Sequence, residues 1–360
     1  MAYTTIDHPS AYYQTALYSG NNTSQSITLD GNSNLQPDVV WIKERNGIED
    51  HCIFDSSRSG SERLSPNTTG STWDDASNVT AFDSDGFSIV SNDQLNDSGN
   101  TQVAWCWKVN GGTTTTNDAS ATSVGSQDSV YQANTTAGFS IVTWTGPSGS
   151  GVGTNAHGLG AVPHLMIVKC RSASEPWEVY HHKNTTAPET DYLRLNTTAA
   201  TADSAHVWAD TAPTSTVFTV GDSGSTNEDS KTYVAYLWKE IQGYSKFGSY
   251  TGNGNADGPF VYTGFKPAFL IVKNTSDGDD QWLVWDNKRS PTNPVDDYLA
   301  PSASDAESAN SNWAIIDFVS NGFKLRSSDI SYNQSGYKYI YIAFAEQPFV
   351  SSEGVPCTAR

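Results

Sequence analysis

Basic residues are scarce in this chain: 20 Lys and Arg stand against 39 Asp and Glu, a formal charge of −19 over 360 residues. The acidic excess is spread along the chain rather than gathered into a tail. It fits a soluble, self-repelling surface and argues against a nucleic-acid partner, which needs basic patches. Cysteine is scarce too. Cys52, Cys106, Cys170 and Cys357 are too few and too scattered for a disulfide framework or a zinc site, both of which demand close pairs. No apolar run approaches the length of a membrane span, so no membrane insertion is expected. The opening Met1-Ala2-Tyr3-Thr4-Thr5 has neither the basic nor the apolar region of a signal peptide, so synthesis in a cytoplasm without secretion is expected. Runs of Ala, Glu, Lys and Leu long enough for an ordinary helix are also missing. What remains is β-forming: 17 Tyr, 13 Phe and 11 Trp with plentiful Thr and Val, punctuated by Gly and Asn, which predicts an all-β fold.

Three stretches anchor the chain. They are Leu35-Gln36-Pro37-Asp38-Val39-Val40-Trp41-Ile42-Lys43, Val162-Pro163-His164-Leu165-Met166-Ile167-Val168-Lys169, and Phe265-Lys266-Pro267-Ala268-Phe269-Leu270-Ile271-Val272-Lys273. A proline, a short β-branched and aromatic run and a closing lysine describe a buried strand that begins after a rigid turn. The lysines recur roughly a hundred residues apart, the size of a whole domain rather than of a solenoid unit. Other elements keep the same order around each anchor. An alternating strand precedes it, as in Ile141-Val142-Thr143-Trp144 and Phe247-Gly248-Ser249-Tyr250, and a short aromatic strand follows, as in Cys52-Ile53-Phe54-Asp55 and Trp282-Leu283-Val284-Trp285-Asp286. Asp85-Gly86 and Asn321-Gly322 read as hairpin turns in which both central residues take positive φ. The last strand, Val103-Ala104-Trp105-Cys106-Trp107, Val234-Ala235-Tyr236-Leu237-Trp238 or Ile340-Tyr341-Ile342-Ala343-Phe344, holds an alanine among aromatics, as a central strand packed on both faces would.

Together these predict three tandem antiparallel β-sandwich repeats of the jelly-roll kind, in residues 1–110 with a short N-terminal arm, 137–243 and 244–350. Residues 111–136, rich in Gly, Thr and Ser, read as a linker, and 351–360 as a C-terminal tail. Each repeat is expected to close its own core, like beads. The alternative is one large barrel or three blades around an axis. The direct junction at Glu240-Ile241-Gln242-Gly243 predicts that the second and third repeats move together and that the first is more loosely attached.

No catalytic constellation emerges, and a non-enzymatic protein with no cofactor and no metal is expected. No glycine loop opens a helix and no serine sits in a nucleophile elbow. His181-His182 are neighbours on a strand and point to opposite faces, which suits no shared metal. Asp83-Ser84-Asp85-Gly86 and Asp277-Gly278-Asp279-Asp280 lack the further ligands of a calcium loop and read as a hairpin and a solvated loop. Most aromatics fall on repeated strand positions. Trp73, Trp208 and Trp313 fall in the divergent loops and are the candidates for stacking on a sugar ring.

With the repeat laid out, the chain resembles a family of triple-repeat β-domain virion proteins of tailed bacteriophages, especially marine ones. The resemblance covers essentially the whole chain. It rests on Met1-Ala2-Tyr3-Thr4-Thr5-Ile6, Val103-Ala104-Trp105-Cys106-Trp107-Lys108, Asn134-Thr135-Thr136-Ala137-Gly138-Phe139, His157-Gly158-Leu159-Gly160, Gly243-Tyr244-Ser245-Lys246-Phe247-Gly248 and Ala343-Phe344-Ala345-Glu346-Gln347-Pro348-Phe349. It implies a structural protein exposed on the particle and transfers no catalytic or binding residue. The expected role is a tail-associated fibre, appendage or adaptor that meets the host surface, with a capsid decoration or head fibre as the alternative and a surface-carbohydrate hydrolase third. The implied partners are other virion proteins and host cell-surface carbohydrate, and the implied assembly is a homotrimer.

Overall fold

The computed structural model describes residues 2–358 apart from 77 and 150. It is nearly all β: the three α-helices among the described residues, Ala119–Thr122, Ala205–Trp208 and Ile330–Asn333, are single turns. Three antiparallel sheets carry the anchor strands and share one order. In the first, β1 (Tyr13–Ser19), β2 (Val39–Glu44), β3 (Cys52–Asp55) and β4 (Thr101–Trp107) run β1-β4-β2-β3. After β5 (Ser129–Asn134), the second sheet sets β6 (Phe139–Thr145), β7 (Leu165–Cys170), β8 (Trp177–His181) and β9 (Thr232–Trp238) in the order β6-β9-β7-β8. In the third, β10 (Ser245–Thr251), β11 (Phe265–Asn274), β12 (Leu283–Asp286) and β13 (Lys338–Pro348) run β10-β13-β11-β12.

Strand alternation divides each sheet into two buried faces. On β4, Ala104 and Cys106 face an outer cluster with Ile27, Phe87 and Ile89 of a small sheet, while Val103, Trp105 and Trp107 face inward. The second and third sheets repeat this, with Phe218 and Val220 or Phe318 and Phe323 supplying the outer partners. The inner faces do not close separately. Trp41 and Trp107, Ile167 and Trp238, and Phe269 and Phe344 meet in one central cluster fed by all three sheets. Ring contacts cross it: Tyr13 stacks on Phe344 at 5.5 Å, and Trp105 and Trp107 meet Phe269 edge-on at 5.7 and 5.5 Å. Each such contact adds about 0.5–1.5 kcal/mol beyond the area it buries. The bead arrangement is therefore corrected by a shared core, because each sheet has a second apolar face that nothing within its own third of the chain covers.

Polar groups fasten the same three joints. The side chain just before β3's Cys52, or at the equivalent point of the other sheets, donates to a carbonyl of the neighbouring third. Trp177 Nε1 reaches Ser65 O and Trp282 Nε1 reaches Arg194 O, each at 3.0 Å, and His51 Nε2 lies 3.1 Å from Ala300 O. His51 Nδ1 accepts from Trp41 Nε1 at 2.9 Å, which leaves the proton on Nε2 for Ala300. Burial keeps this imidazole neutral by pulling its pKa well below the usual histidine value. A second fastening follows each strand. Asp55 pairs with Arg58 at 2.6 Å and accepts from Tyr236 at 2.7 Å. Asp286 pairs with Arg289 at 2.5 Å and accepts from Trp105 Nε1 at 3.1 Å, while His181, in the same place on the second sheet, lies 3.2 Å from Tyr341 O.

The three closing lysines are buried on the inner faces. Lys169 Nζ donates to Thr69 O and Glu175 O at 3.0 and 2.8 Å, and Lys273 Nζ to Thr198 O and Asp280 O, both at 2.7 Å. Lys43 instead donates within its own loop, to Glu44 O and Gly47 O, and Arg45 reaches across to Glu307 at 2.6 Å. The joints thus run first to second, second to third and third to first, and the ring is closed. The first third is fastened as the others are, contrary to its expected looseness.

Local details differ from the sequence expectations for steric reasons. Residues 111–136, expected as a linker, hold the strand Thr115–Asn117, a helical turn and β5, and β5 extends the second sheet beside β6. The alanine of the last strand is not held at one position. Ala104 and Ala235 are equivalent and lie opposite Ala16 and Val142, but the third sheet places Tyr341 there, opposite Gly248. A Cβ on Gly248 would lie 2.4 Å from the Tyr341 hydroxyl, so the volume lost on one strand is restored on its neighbour. The hairpins turn at Ser84-Asp85 and Ser320-Asn321, with Gly86 and Gly322 already in the returning strand. Glycine is required there because a Cβ would meet Ile27 O at 1.9 Å or Val261 O at 2.1 Å.

Three outcomes follow. Residues 244–350 expressed alone would expose the inner faces of β11 and β13, so no cooperative monomeric unfolding transition is expected by calorimetry, and one would restore the bead arrangement. Tyr236→Phe removes the hydroxyl that donates to the buried Asp55 and accepts from Arg58, and is expected to lower stability by about 1.5–3 kcal/mol in chemical denaturation. Burial draws Lys43, Lys169 and Lys273 down to about 8. The fold therefore releases these protons before the unfolded chain does, and stability rises from about pH 7.5 to about pH 9. Above that the trend reverses, because burial raises the pKa of Cys52, Cys106 and tyrosines such as Tyr13 and Tyr236 while the unfolded chain ionises them. Urea midpoints at pH 7.5 and 9 test this, with a smaller rise expected in Lys169→Met.

Candidate functional site

The loop tryptophans lie in different thirds of the ring. Trp73, in the strand Trp73–Asp74 that pairs with Glu62–Arg63, is 60% exposed, and the Arg63 guanidinium lies 5.8 Å from its ring centre. It alone of the three presents a broad face to solvent. Trp208 is 1% exposed. Ser204 caps its helical turn by accepting from the His206 backbone, and this turns the indole inward, where Nε1 donates to Asp191 O at 3.1 Å and the ring meets Tyr180 edge-on. Its expected ligand role is corrected: it is part of the second outer core. Trp313 is half-buried against Tyr298, with ring centres 4.9 Å apart. The structure does not bring these residues together.

The other polar candidates are engaged structurally. His181 Nδ1 accepts from the Lys183 backbone at 3.1 Å and burial lowers its pKa to about 3, while His182 Nε2 lies 2.6 Å from Phe247 O. Asp85 accepts from the Leu35 backbone and Asp83 from Ser88; Asp280 accepts from Asn274 at 2.6 Å. Among the described residues, no group of three or more His, Cys, Asp and Glu converges as metal ligands would, and no helix is long and apolar enough to cross a membrane.

Concavity and chemistry come together in a groove of about 490 Å³ between the first and third sheets. Its floor is the start of β1, Tyr13 to Thr15. One wall is the Asp30 to Asn32 loop, and another is formed by Asn287 and Lys288 after β12 with Glu346 and Gln347 of β13. The chain beyond β13 makes the rim. Phe349 N donates to Gly264 O, Cys357 N returns to Phe349 O, and Ser352 N donates to Asp7 at 2.6 Å. The bonds from Ser352 hold Asp7 below the usual carboxylate range. Asp30 pairs with Lys288 at 2.6 Å, and Glu346 with Lys266 at 2.9 Å and Asn287 at 2.7 Å. A general acid needs a raised pKa. The carboxyls raised by burial, Glu44, Glu178 and Asp296, stand outside the groove. Tyr13 is 2% exposed, so the floor offers no flat ring for a sugar. The arrangement suits binding of a polar, extended ligand.

The groove escapes sequence reasoning because its residues come from distant segments. The Asp-x-x-Arg spacing of Asp55/Arg58 and Asp286/Arg289 was a signal present in two repeats that marks the joint.

No curated protein matches the chain. A family model described as "Domain of unknown function (DUF7483)" matches residues 8–348, nearly the whole chain. The chain belongs to that family.

Proposed function

We propose that this chain is a non-enzymatic structural component of a tailed-bacteriophage particle, a tail-associated fibre, appendage or adaptor that contacts the host surface. In this reading each third is a jelly-roll-like β-sandwich repeat, and the three are tandem copies of one ancestral unit. The observation that carries it is the closed ring, in which three sheets of one order share an aromatic core and bury ion pairs at their joints. Such a frame is stiff, and it holds exposed features such as Trp73 and Arg63 in fixed directions for a surface carbohydrate to meet. The family resemblance on residues 343–349 and 103–108 supports the virion setting. The partners proposed are other virion proteins and host cell-surface carbohydrate. The homotrimer expected from the sequence is one way to give an appendage threefold geometry; a ring of three copies within one chain supplies the same geometry without it.

Decoration of the head is the second reading, favoured by the same stiffness. Cryo-electron microscopy of the intact particle separates the two by position and copy number. A few copies on the tail are expected. Many copies on the capsid lattice would assign the protein to the head, and its absence from the particle would overturn both readings.

A further inference from the structure

We propose that the groove beside β1 is a strand-acceptor site: an extended, uncharged or basic segment of a partner polypeptide adds antiparallel to β1, between the first and third sheets. The inference does not depend on where the protein works. The same edge is finished differently in the three sheets.

Thr15, Ile141 and Phe247 are equivalent, since they lie opposite Trp105, Tyr236 and Ile342 on the central strands. Lys108 N donates to Tyr12 O and Lys239 N to Gly138 O, so the ladder to the central strand uses Tyr12, Gln14 and Gly138, and the backbone of Tyr13, Thr15, Phe139 and Ile141 points the other way. In the second sheet that edge is covered: β5 pairs with β6, with Gln132 opposite Ile141. In the third, side chains satisfy it, as Phe247 N donates to Glu240 Oε1 at 3.0 Å and His182 Nε2 lies 2.6 Å from Phe247 O. In the first, no strand among the described residues pairs with β1 on that side, and the edge forms the floor of the groove.

The walls match as well. Gln132 of β5 reaches across the joint to Ser56 Oγ at 2.8 Å and Ser57 Oγ at 2.6 Å. Their counterparts after β12 are Asn287 and Lys288, which line the groove. The groove is thus the seat that β5 fills one joint further on, with no strand among the described residues paired there at the joint between third and first and with Tyr13 and Thr15, 2% and 3% exposed, at its base. An added strand gains main-chain bonds from Tyr13 and Thr15, and a side chain opposite Thr15 can reach Asn287. Asp7, Asp30 and Glu346 at the walls, on a chain of charge −19, disfavour an acidic strand.

The test uses the full chain and a fluorescein-labelled peptide of residues 129–136 followed by two lysines. Saturable binding by anisotropy is expected, with slower hydrogen exchange of the Tyr13 and Thr15 amides and none at Ile141. Thr15→Pro removes an outward N–H while leaving the ladder to β4, and is expected to weaken binding at least tenfold. Exchange in the unaltered chain decides the matter even where that variant folds poorly. Absence of saturable binding, binding without protection of β1, or unchanged affinity in a folded Thr15→Pro chain overturns the proposal. A concentration-dependent dimer that Thr15→Pro abolishes would make the occupant a second copy of this chain and overturns the partner named here.

Discussion

Each of the three sheets has two apolar faces, and only one can be covered within its own third of the chain. That constraint organises the molecule. The outer face takes a small sheet, and the inner face, bearing Trp41 and Trp107, Ile167 and Trp238, or Phe269 and Phe344, has only the other two inner faces to meet. Burying aromatic surface of this kind is worth about 1.5–3 kcal/mol per large side chain. Folding therefore couples all three thirds through one core. A void of about 40 Å³ remains within it, walled by Trp41, Tyr236, Phe344 and other apolar neighbours. With no polar atom on its wall it gives a water no partners and stays dry.

Closing such a core carries charge inside, because each anchor strand ends in a lysine whose position faces inward. The fold answers with carbonyls: every one of the three amines finds two, and for Lys169 and Lys273 one comes from the neighbouring third. At the next position outward the chemistry varies while the geometry holds. A tyrosine hydroxyl, an indole or a backbone carbonyl meets an Asp–Arg pair or a histidine. At these positions each buried donor or acceptor is matched across the joint, and which side chains do so varies. The joints consequently read as polar fasteners set around an apolar centre, and they fix which neighbour each third takes.

Much of this was legible in the sequence, and the illegible part has a physical cause. Proline-led runs, alternation and repeated order revealed the strands, since those patterns report local geometry and burial. Whether the inner face met its own third or another could not be read, because Val103, Trp105 and Trp107 alternate identically in either case. The closing lysines read as the charged ends of buried strands, but not as crossing points; their carbonyl partners come from loops of low similarity, such as Thr69 and Thr198. Those loops were expected to face a ligand. Their first residues are instead the clasps between thirds, and only beyond them, at Trp73, does an aromatic reach solvent. Trp208 misled for a related reason, as divergence marks a changed partner as readily as an exposed one. The groove left no pattern at all, being visible only once β1, β6 and β10 are compared in space.

The Arg45–Glu307 contact that shuts the circle also limits how the architecture can change over time. An open array of repeats gains or loses members at its ends, since each member touches only its neighbours. Here each sheet already meets both of the others, and a fourth copy would have to break one of the three joints to enter. Copy number is frozen by closure. Diversification has to run through the rim instead, by inserting residues where the chain leaves one sheet for the next, as residues 111–136 do in widening the second sheet with two strands that the others lack.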